Sequence, residues 1–267
     1  MSSLVLNPFF VFINSRNRID GTDSNFTYAI NFPADLEFDR VVVLNALIPK
    51  SYYLIQSGDN TFQLQEGSSI VTITVPIGSY LLSTFKNTIS SLLTAASPNG
   101  LTYTVTYPVN SAPDTGLWTY TQNNGSIVSS LIFNSTLYEP FGFLPSSTNV
   151  FSGTTLISTA VLKLQSEDRL LIHSNLTDNA GNDDVLVSIN STTSINYSSI
   201  NYECQSPEFF SRILNSQHNN TYSFQLTDED DKIVDLNGLN LNMTILFYKR
   251  DDIFERIKAF LKMAVLK

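Results

Sequence analysis

Apolar and polar positions alternate with period two over a series of short runs rich in β-branched and aromatic residues, the pattern of half-buried strands. Such runs are Phe26–Phe32, Arg40–Ile48, Thr61–Gln65, Ile70–Val75, Leu101–Tyr107, Leu117–Gln122, Ser130–Phe133, Arg169–Ser174, Asp184–Asn190, Tyr222–Asp228 and Leu241–Tyr248. Turn residues that tolerate positive φ separate several of them, among them Gly58-Asp59-Asn60, Glu66-Gly67, Pro98-Asn99-Gly100, Asn123-Asn124-Gly125 and Asn237-Gly238. The spacing is irregular and no 20–50-residue period recurs, which argues against a propeller or a solenoid. Two segments break the period. In Gly78–Gly100 the apolar positions Leu82, Phe85, Ile89, Leu92, Leu93 and Ala96 follow helical spacing, with Ser79 the expected N-cap and Ser97-Pro98-Asn99-Gly100 the stop. In Asp251–Lys267, Ile253, Phe254, Ile257, Phe260, Leu261, Ala264 and Val265 form one apolar stripe, with acids at its start and lysines near its end, as the helix dipole favours. The reading is an all-β body with one embedded helix and a C-terminal amphipathic helix.

Composition narrows the partners. Of the 267 residues only 15% are charged and 12% are aromatic, enough apolar surface for a core under a weakly charged exterior. A net charge of -9 argues against nucleic acid as the main partner, because phosphate binding needs concentrated Lys and Arg. That charge is uneven. Residues 249–267 carry six basic and three acidic side chains, net +3, which leaves nine against twenty-one, or -12, for the rest. A single cysteine, Cys204, excludes an internal disulfide framework and a cysteine-rich metal cluster. Eight Asn-x-Ser/Thr sequons (at Asn25, Asn124, Asn134, Asn175, Asn190, Asn196, Asn219 and Asn242) read as chance in so Asn-, Ser- and Thr-rich a chain, since the N-terminal run lacks a basic start and is broken by Asn7-Pro8. No segment reaches the roughly 20 apolar residues of a membrane-spanning helix.

Catalytic motifs do not emerge. There is no Gly-x-Ser-x-Gly elbow, phosphate loop, His-Glu-x-x-His or dinucleotide fingerprint. His173 sits in a strand-like run and His218 in a loop, each read as structural, and Cys204 reads as a small apolar filler rather than a nucleophile. Thr227–Lys232 lacks the glycine and the closing acid of a calcium loop and is expected to be a solvated turn; Asp178–Asp184 offers oxygen ligands without loop-motif spacing. The crowded stretch Ile13–Ile30 sets Arg16 and Arg18 beside Asp20 and Asp23 with no nucleophile or histidine near. A turn at Asp20-Gly21-Thr22-Asp23 leading into a strand is expected, with the two arginines tying the incoming segment to the body or to an adjacent subunit.

One ordered set of short motifs resembles a known family. Ser15-x-x-Arg18 within "FINSRNRIDGTDSNFTYAINFP", Ile48-Pro49-Lys50-Ser51 within "VVVLNALIPKSYYLI", "NTFQLQEG", the Gly78-Ser79-Tyr80-opened helix, "LTYTVTY", Phe141-Gly142-Phe143 in place of Leu-Gly-Phe, and a closing Asp235-Leu236-Asn237-Gly238 strand follow as in the penton-type minor capsid proteins of virophages, polinton-like viruses and related large DNA viruses. The resemblance spans Phe10 to Tyr248. It implies a single jelly roll, two packed antiparallel sheets with Greek-key connections, and a non-enzymatic virion protein, made in host cytoplasm or a viral factory, that needs no cofactor. It also implies five copies closing each fivefold vertex of an icosahedral capsid, with the major capsid protein as a partner. The domain division expected is 1–248 for the roll and 249–267 for the basic helix, whose Ile253, Phe254, Ile257, Phe260 and Leu261, with Arg16 and Arg18, are the candidate contact residues. Through that helix, other minor capsid proteins or an internal membrane are further candidate partners. The competing reading is a carbohydrate-binding or adhesin-like β-sandwich, in which Trp118, Tyr120 and Tyr138 stack on sugar rings.

Overall fold

The computed structural model describes residues 5–107, 114–133, 137–165, 169–177, 184–191, 197–215 and 219–250. The chain divides into two compact units, Met1–Tyr52 with Glu167–Lys267, and Tyr53–Ser166. Where the sequence pattern suggested one body over 1–248, the second unit is a long excursion of the first, leaving after one strand and returning before the next.

The first unit is a sandwich of two antiparallel sheets. One runs β1 (Val5–Asn14), β17 (Asn242–Arg250), β4 (Arg40–Pro49), β14 (Ser199–Glu203); the short β15 (Arg212–Ile213) also pairs with β4. The other runs β13 (Val185–Asn190), β12 (Arg169–Ser174), β16 (Thr221–Thr227), β3 (Asn25–Ala29), β2 (Asp20–Gly21). The chain changes sheet at six of the nine connections between these strands, and its first strand pairs with its last, Phe10 opposite Leu246 and Ile13 opposite Met243. That strand order is a jelly roll, as expected, and the fold is mostly β. Alternation explains the burial. Val41 and Val43 on β4 and Ile245 and Phe247 on β17 point inward to meet Phe26, Leu170, Ile172, Tyr222 and Phe224 of the facing sheet.

Asn7-Pro8 does not end β1. The register shifts between Leu6 and Phe9, so the proline, which lacks an N–H, is taken up in an irregularity of a strand at the sheet edge. The C-terminal boundary also moves, because Lys249 and Arg250 continue β17. The remainder of the expected amphipathic helix, with Ile253, Phe254, Ile257, Phe260 and Leu261, lies outside the described residues.

The second unit contains two sheets and the embedded helix. Its sheets run β10 (Thr148–Val150), β9 (Ser129–Ile132), β5 (Thr61–Glu66), β6 (Ser69–Thr74), and β11 (Thr155–Ile157), β8 (Thr119–Gln122), β7 (Tyr103–Thr106). Helix α1 (Leu82–Ala96) buries Phe85, Ile89 and Leu93, three of the positions its periodicity picked out, in a core that includes Trp118, Phe133 and Phe141. Burying each such ring is worth about 1.5–3 kcal/mol. Ser79 is not the cap. Leu81 is, and the Thr84 hydroxyl reaches back to its N–H at 3.0 Å, because the chain stays extended through Leu81. At the far end of the helix a buried carboxylate takes over. Glu66 accepts from Ser97 Oγ at 2.7 Å, from the Asn99 N–H at 3.0 Å and from the Tyr103 hydroxyl at 2.8 Å, fixing the turn after α1 to strands β5 and β7. Two short helices, α2 (Tyr138–Phe141) in this unit and α3 (Pro207–Phe210) in the roll, carry features that matter below.

Candidate functional site

Three of the motifs that lie far apart in the sequence meet at one place in the roll. Ser15 begins a single 3₁₀ turn (Ser15–Asn17) after β1 and is fully buried. Its N–H donates to the Leu241 carbonyl at 2.9 Å, and its Oγ accepts from the Leu241 N–H at 3.0 Å, two bonds to the segment that follows Asp235-Leu236-Asn237-Gly238. Ser51, just past β4, donates its hydroxyl to the Leu236 carbonyl at 2.6 Å, and its own carbonyl accepts from Asn237 Nδ2 at 2.6 Å. The turn is shaped for this. Asn237 and Gly238 both have positive φ, 50° and 81°, and the Asp235 carboxylate accepts from the Asn237 N–H at 2.8 Å. Beside it Lys50, 5% exposed, donates from Nζ to the Ser191 carbonyl at 3.3 Å.

Arg18 and Arg16 part company. Arg18 donates from Nη1 to the Ser15 carbonyl and from Nε to the Gly21 carbonyl, both at 3.0 Å, and pairs with Asp23 at 3.2 Å. It therefore clamps the 3₁₀ turn to the β2–β3 hairpin. Gly21 is required there, since at φ +97° any Cβ would sit 2.2 Å from the Asn25 carbonyl oxygen. Arg16 is exposed, and among the described residues its guanidinium makes no bond. Expected as a pair, the two arginines thus differ in their surroundings: Arg18 is bonded within the roll and Arg16 is exposed.

Phe141-Gly142-Phe143, in the second unit, is also a joint. Gly142 ends α2 in the left-handed region at φ +74°, where a Cβ would meet the Ala160 carbonyl at 2.7 Å, while both phenylalanines are buried.

The two flanks of the roll differ in kind. On one, β1 and the β2–β3 hairpin leave Phe12 75% and Ile19 60% exposed, next to Arg16. On the other, the edge strands β13 and β14 border a groove of about 550 Å³, lined by Leu186, Val187 and Tyr202 and overhung by α3. Phe209 and Phe210 of α3 are 89% and 61% exposed. Burial, and then a hydrogen bond with Cys204, holds the Tyr202 phenol above the usual tyrosine range. Sequence periodicity did not single this groove out. The only signal was two adjacent phenylalanines after a proline in an otherwise polar stretch.

The remaining candidates have structural places. His173 is held between Asp184, 2.9 Å from Nδ1, and Thr227, 3.0 Å from Nε2; His218 and Asp178–Asp183 lie outside the described residues. In Thr227–Lys232 the Asp228 carboxylate accepts from the N–H groups of Asp230 and Lys232, an Asx-type turn. Trp118 and Tyr120 are fully buried, with Trp118 Nε1 donating to the Pro140 carbonyl and the Tyr120 hydroxyl to that of Phe141. They offer no platform for a sugar ring, which corrects the stacking role expected of these two; Tyr138, the third, is half-buried at the start of α2. Among the described residues no group of His, Cys, Asp and Glu is placed to hold a metal, and no helix is long and apolar enough to cross a membrane.

The strand order and the convergent joint define the class, a jelly-roll protein with an inserted second unit. Among solved structures the chain is similar to the crystal structure of the mavirus penton protein, at 11% identity and a TM-score of 0.49, over 90% of this chain and 99% of that one. No protein-family model and no curated protein matches it.

Proposed function

We propose that the chain is a structural, non-enzymatic virion protein, a penton or related minor capsid subunit whose copies form a homopentameric ring at the fivefold vertices of an icosahedral capsid. The supporting observation is the joint itself. Ser51 of Ile48-Pro49-Lys50-Ser51 hydrogen-bonds to Leu236 and Asn237 of Asp235-Leu236-Asn237-Gly238, and Ser15 of Ser15-x-x-Arg18 to Leu241, three residues past that motif, so the motifs behind the family resemblance converge on one segment from across more than half the chain. Short degenerate motifs matched by chance have no reason to meet. A set that meets at the closure of a jelly roll behaves as one structural signature, and the resemblance carries function with it.

In this reading the major capsid protein surrounds the ring, and residues 251–267 reach other minor capsid proteins or an internal membrane. The test is the native mass of the purified chain, by native mass spectrometry or sedimentation. A fivefold multiple of 29.7 kDa, about 150 kDa, is the expected result. A chain that stays monomeric at tens of micromolar and fails to enter particles alongside the major capsid protein overturns the proposal.

A further inference from the structure

The groove between β13 and β14 is open on the side where both sheets end, since among the described residues neither strand has a neighbour beyond β12 or β4. Its floor is aliphatic and aromatic, and two phenylalanines project over it on a four-residue helix. Side chains of that size, exposed together beside an apolar groove, mark a contact surface rather than a solvated rim. Charge adds a sign. Glu203 at the rim and Glu208 on α3 are exposed with no cationic partner among the described residues, and Arg212 is the one cation lining the groove. The opposite flank of the same roll presents Phe12 and Ile19 outward and the guanidinium of Arg16, which makes no bond among the described residues; with Asp20 beside it the flank is neutral, so the match to an acidic rim is local to Arg16.

We infer that this groove seats the Phe12–Ile19 flank of a second copy of the chain, apolar side chains in the groove and Arg16 facing the rim carboxylates. The contact is heterologous, one flank against the other, so each copy offers one donor and one acceptor surface and successive copies join head to tail until a ring closes. The inference rests on the proposed ring and assigns its two faces.

The test uses two variants of the full chain, a groove variant (Phe209→Ser with Phe210→Ser) and a flank variant (Phe12→Ser). All three positions are exposed, so circular dichroism and melting temperature should match wild type. Each variant alone should be monomeric where wild type forms the ring, with association weakened roughly thirtyfold or more, as for loss of an aromatic anchor. Mixed one to one, the two variants retain a single intact donor–acceptor pair and should stop at a heterodimer. Arg16→Glu, with the apolar contacts left intact, should weaken association less, and wild-type assembly should soften with added salt. A groove variant that keeps the wild-type mass overturns the assignment and leaves the ring reading standing. So does a mixture of monomeric variants that gives no heterodimer. A monomeric wild-type chain defeats the ring reading itself.

Discussion

Arg16 and Arg18 lie two positions apart, and among the described residues only the Arg18 guanidinium is bonded. Arg18 satisfies two backbone carbonyls and one carboxylate, bonds that hold the chain leaving β1 against the β2–β3 hairpin. Its groups are partly exposed, so water recovers some of what is lost on its removal; Arg18→Ala should cost about 1 kcal/mol and lower the melting temperature of the roll by about 2–4 °C. Arg16→Ala should leave the melting temperature unchanged and show itself only in the concentration dependence of assembly. Paired thermal melts and sedimentation on the two variants separate the roles, and a stable Arg18→Ala would remove the clamp. The sequence placed both arginines in a joining role. It had no means of dividing them, because what separates them is the direction of two side chains after a single 3₁₀ turn.

At the level of elements, legibility followed how many apolar side chains each strand carries. β12 was read with its observed bounds and β4 to within a residue, because β-branched and leucine side chains crowd both. β14 escaped notice. It is an edge strand in which Ile200 faces inward and Tyr202 is half buried; its positions do alternate, but serine, asparagine and glutamate leave only two apolar residues to carry the period. α1 was legible in its buried face but not in its cap, since the extended backbone at Leu81 is set by the strand-like run before it. The Glu66 tie was invisible, a lone acid beside a turn glycine. Its consequence is measurable at alkaline pH. Burial raises the Tyr103 phenol well above its ordinary value, the Glu66 carboxylate raises it further, and the bond from Ser129 opposes them; burial also raises Tyr120. The unfolded chain therefore gives up these protons near pH 10 while the folded unit keeps them. The stability they contribute is complete below pH 10 and is lost as pH rises beyond it. Melting curves from pH 9 to 12 should show that decline. Tyr103→Phe should flatten it, and an unchanged slope would count against the tie.

For the whole molecule, the jelly roll was implied by the motif resemblance, and the strand order bears it out. The division into two units was not legible, since an inserted β-unit has the same alternation as the roll around it and only contacts distinguish them. The insertion also orders events during synthesis. Residues 53–166 are contiguous and have a core of their own, so nothing later in the chain is needed to complete it. β4, by contrast, is made before the insertion, but its central neighbour β17 begins at Asn242. At ribosomal rates of roughly 5–20 residues per second, the 193 residues from Pro49 to Asn242 leave the first strands of the roll waiting about 10–40 s for that neighbour, with apolar faces uncovered. Nascent chains arrested near residue 210 should yield a protease-resistant 53–166 fragment, with residues 5–49 still cleavable. Resistance of both at that length would mean that the early strands find shelter before their partner exists. The inserted unit then sets a window of vulnerability, in which a chaperone or a neighbouring nascent chain meets β1 and β4 before the roll can close.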